Sequence, residues 1–472
     1  MQTYKYEIFT SIIEEQIKSG VVKKGSRLPS TREIKEKYHL SISSVQSGYD
    51  YLVMKGWVEN VPRSGYFVAI NPKDSVPEHS LKQLPATKDS LFNKNIELTS
   101  TKSKSFEYNS FNAASPTDIL IPQKLILRKM QEVIREKGAS LLRYYPPNGS
   151  FILREKITYR AAQYGCRMNA EELIITDGAL QGLYIALASV TKAGDLIAVE
   201  SPCIFSVLEV ISNLKLKVIE IPIHYKNGFD VNYLRSICDE NPIRAVVVTP
   251  NFHNPTGILM TDDIKKELVS IAEAHQIPII ENDIYGDLYF DGTRPSCIRN
   301  FDQTGLVMTF SSFSKTLAPG IRLGWLNPGQ FYAEAERLKF SLGRSVAPIY
   351  QELMIKLLES NSYDRHLRSF RKQLEKQAIE LLDALRKYFP ENCYFHRPQG
   401  GYSIWGELPQ NLNMEAFYEY CESQRVLFTP GNTFSLTNEY HYYFRAVFAD
   451  RMASESILSL EDLGGRVHEF LY

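Results

Sequence analysis

The sequence lacks the features that mark several large classes of protein. Its 472 residues include only six cysteines, none in C-x-x-C spacing, so neither a disulfide framework nor a metal site is predicted. The 54 basic and 54 acidic side chains cancel, so net charge predicts no particular partner. No apolar run approaches membrane-spanning length, and the first twenty residues have no signal-peptide core. We expect a cytoplasmic protein with reduced thiols and no membrane partner.

A change in composition divides the chain. Residues 71–105 are rich in Lys, Ser, Pro and Thr and poor in apolar side chains, which is typical of a linker. A chain of this length is also too long for one ordinary core. We therefore predict a small domain over residues 1–70 and a large domain over residues 106–472.

The small domain shows three helical patterns and then two β-rich runs. Ser30 and Glu33 form a capping-box signature that opens the second helix, which extends to about Tyr38. Residues 57–61 and 66–70 predict a hairpin. The apolar faces of the first and third helices are marked by Ile8, Phe9, Ile12, Ile13, Ile17, Val45, Tyr49, Leu52 and Val53. The sequence predicts a helix-turn-helix followed by a wing.

Local charge suggests that this small domain contacts DNA. Residues 21–70 hold eight basic and four acidic side chains, a net charge of +4 on a neutral protein. The start of the third helix offers short hydrogen-bonding side chains to phosphates and base edges. A three-helix protein-interaction module is the alternative. The candidate DNA contacts are Arg27, Arg32, Ser41, Ser43, Ser44, Gln46 and Arg63.

The stretch from Gly25 to Val68 resembles the winged helix-turn-helix of GntR-type bacterial regulators. Leu28-Pro29-Ser30, Arg32-Glu33 and Ser44-Val45 are in step with that family. One departure is Ile42, which stands where the family usually has arginine. We therefore expect Arg32 and Arg63 to carry more of the contact with DNA.

The large domain repeats short apolar runs, each followed by a polar loop and a helical pattern. This order predicts an α/β domain with a largely parallel, buried sheet. Ligands of such sheets bind at the carboxyl ends of the strands. The chemically interesting polar residues follow predicted strands, as Lys315 follows the strand Leu306–Phe310.

Four of these residues suit a pyridine aldehyde. A buried lysine such as Lys315 is the residue type that forms a Schiff base. Asp283 is suited to keeping a pyridine nitrogen protonated, so that the ring withdraws electrons. Asn254 and Tyr285 offer hydrogen bonds to a phenolic oxygen. Singly, each has an ordinary structural explanation, such as a surface lysine, a helix cap or a turn.

Another group suits a phosphate. Gly178, Ala179 and Leu180 lie at a predicted helix start, where free backbone N–H groups favour an anion. A hydroxyl and a bidentate cation would come from the segment around Lys315, which contains Ser312, Ser314 and Arg322. Together the two groups meet the binding needs of pyridoxal 5′-phosphate.

The segments "SSFSKTLAPGIRLGW", "PNFHNPTG" and "ENDIYGDL" resemble fold-type I aminotransferases over residues 108–472. The resemblance implies a large, mostly parallel sheet domain with a small α+β C-terminal subdomain, and Lys315 as the Schiff-base lysine. It also implies that Arg445 binds a carboxylate or other anion of a substrate or effector. Tyr144 would reach the phosphate of a neighbouring subunit, so the resemblance implies a homodimer.

Three further positions depart from the aminotransferase pattern. Ile204 occupies the slot of the aromatic residue that stacks on the pyridine ring, with Phe205 beside it. Ala114 replaces a glycine of the early substrate loop, and Leu180 replaces a common glutamine. Such changes fit a site that binds cofactor and amine without fast turnover.

The two domains in this order resemble the MocR/GabR family of bacterial transcription regulators. The resemblance implies a regulator that binds promoter DNA and responds to an amino compound, or to pyridoxal phosphate itself, at Lys315. One alternative is an active aminotransferase with an appended DNA-binding-like domain, since Lys315 is also suited to shuttle protons. A third hypothesis makes pyridoxal phosphate the signal, so that the protein senses vitamin B6.

Overall fold

The computed structural model describes residues 7–18, 21–23, 25–54, 57–61, 65–69, 109–224, 228–437 and 439–471. The chain divides into two compact units, Met1–Ser80 and Leu81–Tyr472. The predicted linker and Arg63 lie outside the described residues.

The described part of the small unit contains three helices and a two-stranded antiparallel hairpin. They are α1 (Glu7–Lys18), α2 (Thr31–Tyr38), α3 (Ile42–Met54), β1 (Val58–Val61) and β2 (Gly65–Val68). The capping box predicted for α2 is present, because the Ser30 hydroxyl accepts from the Glu33 N–H and the Glu33 carboxylate accepts from the Ser30 N–H. Each such cap contributes about 1 kcal/mol. Most residues of the predicted helical faces form the core, with Phe9, Val45 and Tyr49 fully buried. Ile12 is only partly buried, and the side chain of Ile8 lies outside the described part of the chain.

The elements of the large unit alternate between strands and helices over most of its length. In chain order they are β3 (Asn109–Ser110), α4 (Gln123–Lys137), α5 (Phe151–Ala162), β4 (Ile174–Thr176), α6 (Ala179–Val190), β5 (Leu196–Ser201), α7 (Phe205–Asn213), β6 (Lys217–His224), β7 (Gly228–Phe229), α8 (Val231–Glu240), β8 (Ile243–Val248), α9 (Asp262–His275), β9 (Ile279–Asn282), β10 (Val307–Ser312), β11 (Gly324–Asn327), α10 (Tyr332–Leu342), α11 (Pro348–Glu359), α12 (Ser362–Tyr388), β12 (Tyr394–Phe395), β13 (Ser403–Glu407), α13 (Met414–Ser423), β14 (Val426–Leu427), β15 (Thr429–Pro430), β16 (Tyr443–Val447) and α14 (Ser454–Gly465).

Eight strands form the central sheet, in the order β4-β11-β10-β9-β8-β5-β6-β7. The pairs from β10 through β9, β8 and β5 to β6 are parallel, whereas β11 and β7 pair antiparallel with their neighbours. The middle strands are buried on both faces, as a parallel sheet covered by helices requires. The predicted α/β architecture is confirmed. β10 extends two residues beyond the predicted strand, because Ser311 and Ser312 pair with Trp325 and Gly324.

A second, smaller sheet lies in the C-terminal part of the large unit. Its strands are ordered β12-β13-β16-β15, and helix α12 packs against it through leucines. The strand β14 pairs separately with β3, parallel to it. These elements form the α+β subdomain that the resemblance implied.

Among the described residues, no helix is both long enough and apolar enough to cross a lipid bilayer.

Candidate functional site

The start of α3 is a cluster of serines. The Ser41 hydroxyl accepts from the Ser44 N–H at 3.1 Å and lies 2.9 Å from the Ser43 hydroxyl and 2.8 Å from that of Ser44. Ser41 therefore caps α3, and it also stands at the exposed helix N-terminus. Its role in DNA binding stays a prediction.

Gln46 is tied to the hairpin. Its side-chain amide donates to the Tyr66 hydroxyl at 2.7 Å and to Asp50 Oδ1 at 3.2 Å. The Tyr66 ring stacks on Tyr49 with centroids 4.0 Å apart, so this bond fixes Gln46 against a buried pair of rings. Its amide oxygen remains the group available to an external donor.

Arg27 and Arg32 lie on different elements of the small unit, and both are exposed. Arg27 forms an isolated bridge with Phe67 of β2, which places it beside the wing. Arg32 is the second residue of α2. Both guanidinium groups are available to phosphates.

In the large unit, Lys315 lies three residues beyond the end of β10. Its Nζ donates to the Ala114 carbonyl at 2.7 Å. Burial and the positive charges of Arg445 and Arg322 lower the pKa of Lys315 to about 8. An amine of this kind is partly neutral near physiological pH and can therefore attack an aldehyde.

Asp283 follows β9 directly and is fully buried. Its Oδ1 accepts from Asn251 Nδ2 at 2.9 Å. Its Oδ2 accepts from the guanidinium of Arg294 and from the thiol of Cys297, whose Sγ lies 3.3 Å away. Both oxygens are thus engaged within the chain.

The Asn254 side chain connects two other predicted residues. Its Nδ2 donates to the Tyr285 hydroxyl at 2.9 Å, and its Oδ1 accepts from Arg445 Nη1 at 2.9 Å. The structure therefore brings together the predicted partners of a phenolic oxygen and the predicted anion-binding arginine.

The predicted phosphate cradle is also assembled. Gly178 is the N-cap of α6, with a φ of 82°, and α6 begins at Ala179 as predicted. A Cβ added to Gly178 would lie 2.6 Å from Arg322 Nη2, so only glycine leaves that guanidinium its place. The Ser314 N–H donates to the Ser312 hydroxyl at 3.0 Å. Leu180, in the first turn of α6, is exposed.

Arg445 is buried and lacks an acidic partner among the described residues. Its Nη2 donates to the Asn112 carbonyl and, at 3.0 Å, to the Thr429 hydroxyl. Its Nε has no hydrogen-bond partner in the described part of the chain. Burial lowers the pKa of Arg445 to about 10. A buried cation without a counter-ion favours an anionic ligand.

The remaining predicted residues have other neighbours. Ile204 and Phe205 pack against a cluster that contains Trp405 and Phe434. Tyr144 is 75% exposed, and the Arg344 guanidinium lies 5.1 Å from its ring centre. The roles predicted for these three residues stay predictions.

The residues present fit pyridoxal phosphate. Lys315, with its lowered pKa, would bind the aldehyde, and the buried carboxylate of Asp283 would bind the ring nitrogen. The N-terminus of α6 with the nearby Arg322 would bind the phosphate. The Ser314 hydroxyl is a buried oxygen without a partner among the described residues, as expected of a donor that serves a ligand.

Sequence reasoning missed three residues that contact Asp283 directly or through one another. They are Asn251, Lys265 and Arg294. Asn251 lies in the same motif as Asn254 and could have been found from that spacing. Lys265 and Arg294 come from α9 and from the loop after β9, and no motif connects them to Asp283 in sequence.

Two family models match the chain. Residues 117–455 match "Aminotransferase class I and II", and residues 6–68 match "Bacterial regulatory proteins, gntR family". The first match covers more than half of the chain.

Curated relatives match over nearly the whole length. The uncharacterized HTH-type transcriptional regulator YdcR of Escherichia coli is 30% identical over 99% of this chain and 100% of its own. The uncharacterized HTH-type transcriptional regulator YjiR of the same organism is 29% identical over 98% of this chain and 99% of its own.

Solved structures share the fold of the large unit. A multiple substrate aminotransferase of Thermococcus profundus has a TM-score of 0.74 and 24% identity, over 81% of this chain and 96% of its own. An archaeal alanine:glyoxylate aminotransferase has a TM-score of 0.75 and 22% identity, over 81% of this chain and 96% of its own.

Proposed function

The chain belongs to the aminotransferase class I and II family and is an HTH-type transcriptional regulator with a gntR-type domain, and from this premise we propose that its large domain senses an amino compound at Lys315. This combination of domains is that of MocR/GabR-type regulators, and the cofactor of the large domain is pyridoxal phosphate. The proposed domain boundaries are residues 1–70, a linker over 71–105, and residues 106–472.

One observation carries the proposal. Burial and the charges of Arg445 and Arg322 lower the pKa of Lys315, and Arg445, which donates to Asn254, has no acidic partner among the described residues. The amino group of a ligand would react with the cofactor aldehyde held at Lys315, and an acidic group on the same ligand would pair with Arg445. We therefore propose an amino acid, or an amine with another anionic group, as the effector.

Pyridoxal phosphate, when bound, supplies an aldehyde that condenses with amines and a ring that withdraws electrons. The other tasks fall to this chain. Asn254 and Tyr285 would orient the ring through its phenolic oxygen, while the α6 N-terminus, Ser312, Ser314 and Arg322 would hold the phosphate. Arg445 would hold the anionic group of the effector.

The partners follow from the two units. The small unit would bind double-stranded promoter DNA, which places the protein in the bacterial cytoplasm.

We also propose a homodimer, because large apolar side chains are exposed in and around α4. Leu142 is 90% exposed and Leu127 is 60% exposed. Apolar exposure of this kind is typical of an interface.

DNA binding to the upstream region of its own gene tests the proposal. Affinity is measured at fixed salt, with and without pyridoxal phosphate, and with a panel of amino acids. We expect salt-dependent binding that one amino acid alters only when pyridoxal phosphate is present. The variant Arg445→Met should lose the response to the amino acid and still bind pyridoxal phosphate, whereas Arg244→Met serves as a control with an exposed arginine. Binding that no compound alters would refute sensing.

An active aminotransferase is the second candidate, because Lys315 and Asp283 are both placed for such chemistry. Turnover with pairs of amino donors and keto acids decides between the two, since enzymes of ordinary rate turn over about ten times a second. A change in DNA affinity with pyridoxal phosphate alone, unaffected by any amine, would instead identify a vitamin B6 sensor.

A further inference from the structure

Arg294 lies against the carboxylate of Asp283, which would hold the ring nitrogen of pyridoxal phosphate. Its guanidinium donates one hydrogen bond to Asp283 Oδ2 and another, from Nε, to Asp287 Oδ1 at 2.8 Å. The side chain is 9% exposed and packs on the Tyr164 ring, whose centre lies 3.5 Å away. The guanidinium is therefore fixed on three sides.

Gly286 leaves the space for this pair. A Cβ added there would lie 2.4 Å from Asp283 Oδ1 and 2.7 Å from Arg294 Nη2. Any side chain at this position would displace the aspartate or the arginine. The contact thus depends on the local backbone as well as on the arginine itself.

A second cation acts on the other oxygen of Asp283. Lys265 is buried on α9, and its Nζ donates to Asn251 Oδ1 at 3.0 Å. Asn251 in turn donates to Asp283 Oδ1 at 2.9 Å. Both oxygens of the carboxylate are therefore bound by donors that are cationic or polarised by a cation.

These contacts oppose the task of an aspartate at a pyridine nitrogen. The carboxylate would keep the ring nitrogen protonated by its negative charge, and a protonated ring withdraws electrons strongly. A buried guanidinium bound to the same carboxylate offsets that charge.

We infer that Arg294 is a positioning residue that acts through Asp283 and weakens the hold of the ring nitrogen on its proton. The inference rests on the proposed function, and it supplies a physical reason why the domain would bind amines with slow turnover.

Solid-state 15N NMR of protein loaded with pyridoxal phosphate, labelled at the ring nitrogen, tests the inference. The 15N shift reports protonation of that nitrogen directly and is followed over pH. We expect the wild-type nitrogen to lose its proton within the pH range in which the protein stays folded. In Arg294→Gln the midpoint should rise by about one pH unit or more, as for removal of one adjacent charge. The rate of a single half-reaction with an amino donor should rise roughly tenfold.

Arg160→Gln is the matched control. Arg160 binds Asp287 at 2.8 Å and Asp364 at 3.2 Å in the same buried network, and its ion pairs do not include Asp283. The midpoint of Arg160→Gln should equal that of the wild type. The midpoint of Arg294→Lys, which keeps the positive charge, should rise by less than half as much as that of Arg294→Gln. The other charged or titratable groups around Asp283 are Lys265, Glu281, Tyr164, Cys297 and Asp287, and all are unchanged in these variants.

A wild-type nitrogen that stays protonated at every pH at which the protein is folded would overturn the inference, and this measurement needs no variant to fold. Equal midpoints in wild type and Arg294→Gln would also overturn it. Both results come from the cofactor ring and are independent of DNA binding. Failure of the proposed function would instead appear as a wild-type DNA affinity that no amine or cofactor changes.

Discussion

At the scale of single residues, the environment of Lys315 determines what it can do. Two arginines and burial all disfavour its charged form, and the Ala114 carbonyl accepts its hydrogen bond. The amine is thus held in one position, and a larger fraction of it is neutral near pH 7 than for an ordinary lysine. A surface lysine would be charged and mobile.

We expect Lys315→Ala to abolish the visible absorbance that pyridoxal phosphate acquires when it is bound to a lysine. DNA binding should remain measurable, because the substitution lies in the large unit. Absorbance spectra with equimolar cofactor check this, and Lys192→Ala, at an exposed lysine, should keep the wild-type spectrum. An unchanged spectrum in Lys315→Ala would refute the assignment.

The lowered pKa of Lys315 also predicts a pH dependence. Only the neutral amine attacks an aldehyde, so the rate of cofactor attachment should rise about tenfold per pH unit below about pH 8. Above that pH the rate should level off. Stopped-flow absorbance on mixing cofactor-free protein with excess pyridoxal phosphate measures the rate. A rate that still rises tenfold per unit at pH 9 would mean that the lysine has its ordinary pKa.

At the scale of elements, α2 combines a structural and a functional role within eight residues. Ser30 and Glu33 close its first turn, while Arg32 points its charge away from the core that Ile34 enters. The capping pair and the candidate phosphate contact can therefore be changed separately.

Arg32→Ala should weaken DNA binding and reduce its salt dependence. Loss of one phosphate contact lowers the slope of log affinity against log salt by about one. Titrations at several salt concentrations measure the slope. Glu36→Ala, an exposed acidic residue of the same helix, should leave the slope unchanged or raise it. A wild-type slope in Arg32→Ala would count against the contact.

Ser30→Ala should lower the free energy of unfolding of the small unit by about 1 kcal/mol, because the Glu33 N–H loses its acceptor. Denaturant titration followed by circular dichroism, on a variant and wild type in parallel, measures the loss. Ser30→Asp keeps a capping acceptor and should restore most of the stability. Equal midpoints for Ser30→Ala and wild type would mean that the cap contributes nothing.

At the scale of the whole molecule, the sequence predicted the two folds well, because both depend on local patterns. Helix faces, the capping box at Ser30 and the strand-loop-helix repeats are readable along the chain. The residues that tune the site are different. Arg294 and Lys265 reach Asp283 only through the fold, so no spacing rule connects them. The buried ion pairs among Arg160, Asp287 and Arg294 were invisible for the same reason.

The proposed homodimer is the prediction that belongs to this scale. Sedimentation equilibrium should give a mass near twice 54.0 kDa. The double substitution Leu127→Asp and Leu142→Asp should shift the mass toward the monomer, because charge at an apolar interface is costly. Lys192→Asp, at an exposed polar position, should not. A monomeric wild type would contradict the proposal.

Helix α12 connects the surroundings of Lys315 with the C-terminal subdomain. It is 27 residues long, which corresponds to about 40 Å. Near its start, the Tyr363 hydroxyl lies 2.7 Å from that of Thr316, the neighbour of Lys315, and His366 lies 2.9 Å from the Thr316 carbonyl oxygen. Near its end, Leu381 and Leu385 pack in the core of the C-terminal subdomain. A tilt of only about 5° at the lysine would therefore move the far end by about 3 to 4 Å. Such a tilt would turn a change at one amine into a displacement as large as a side chain.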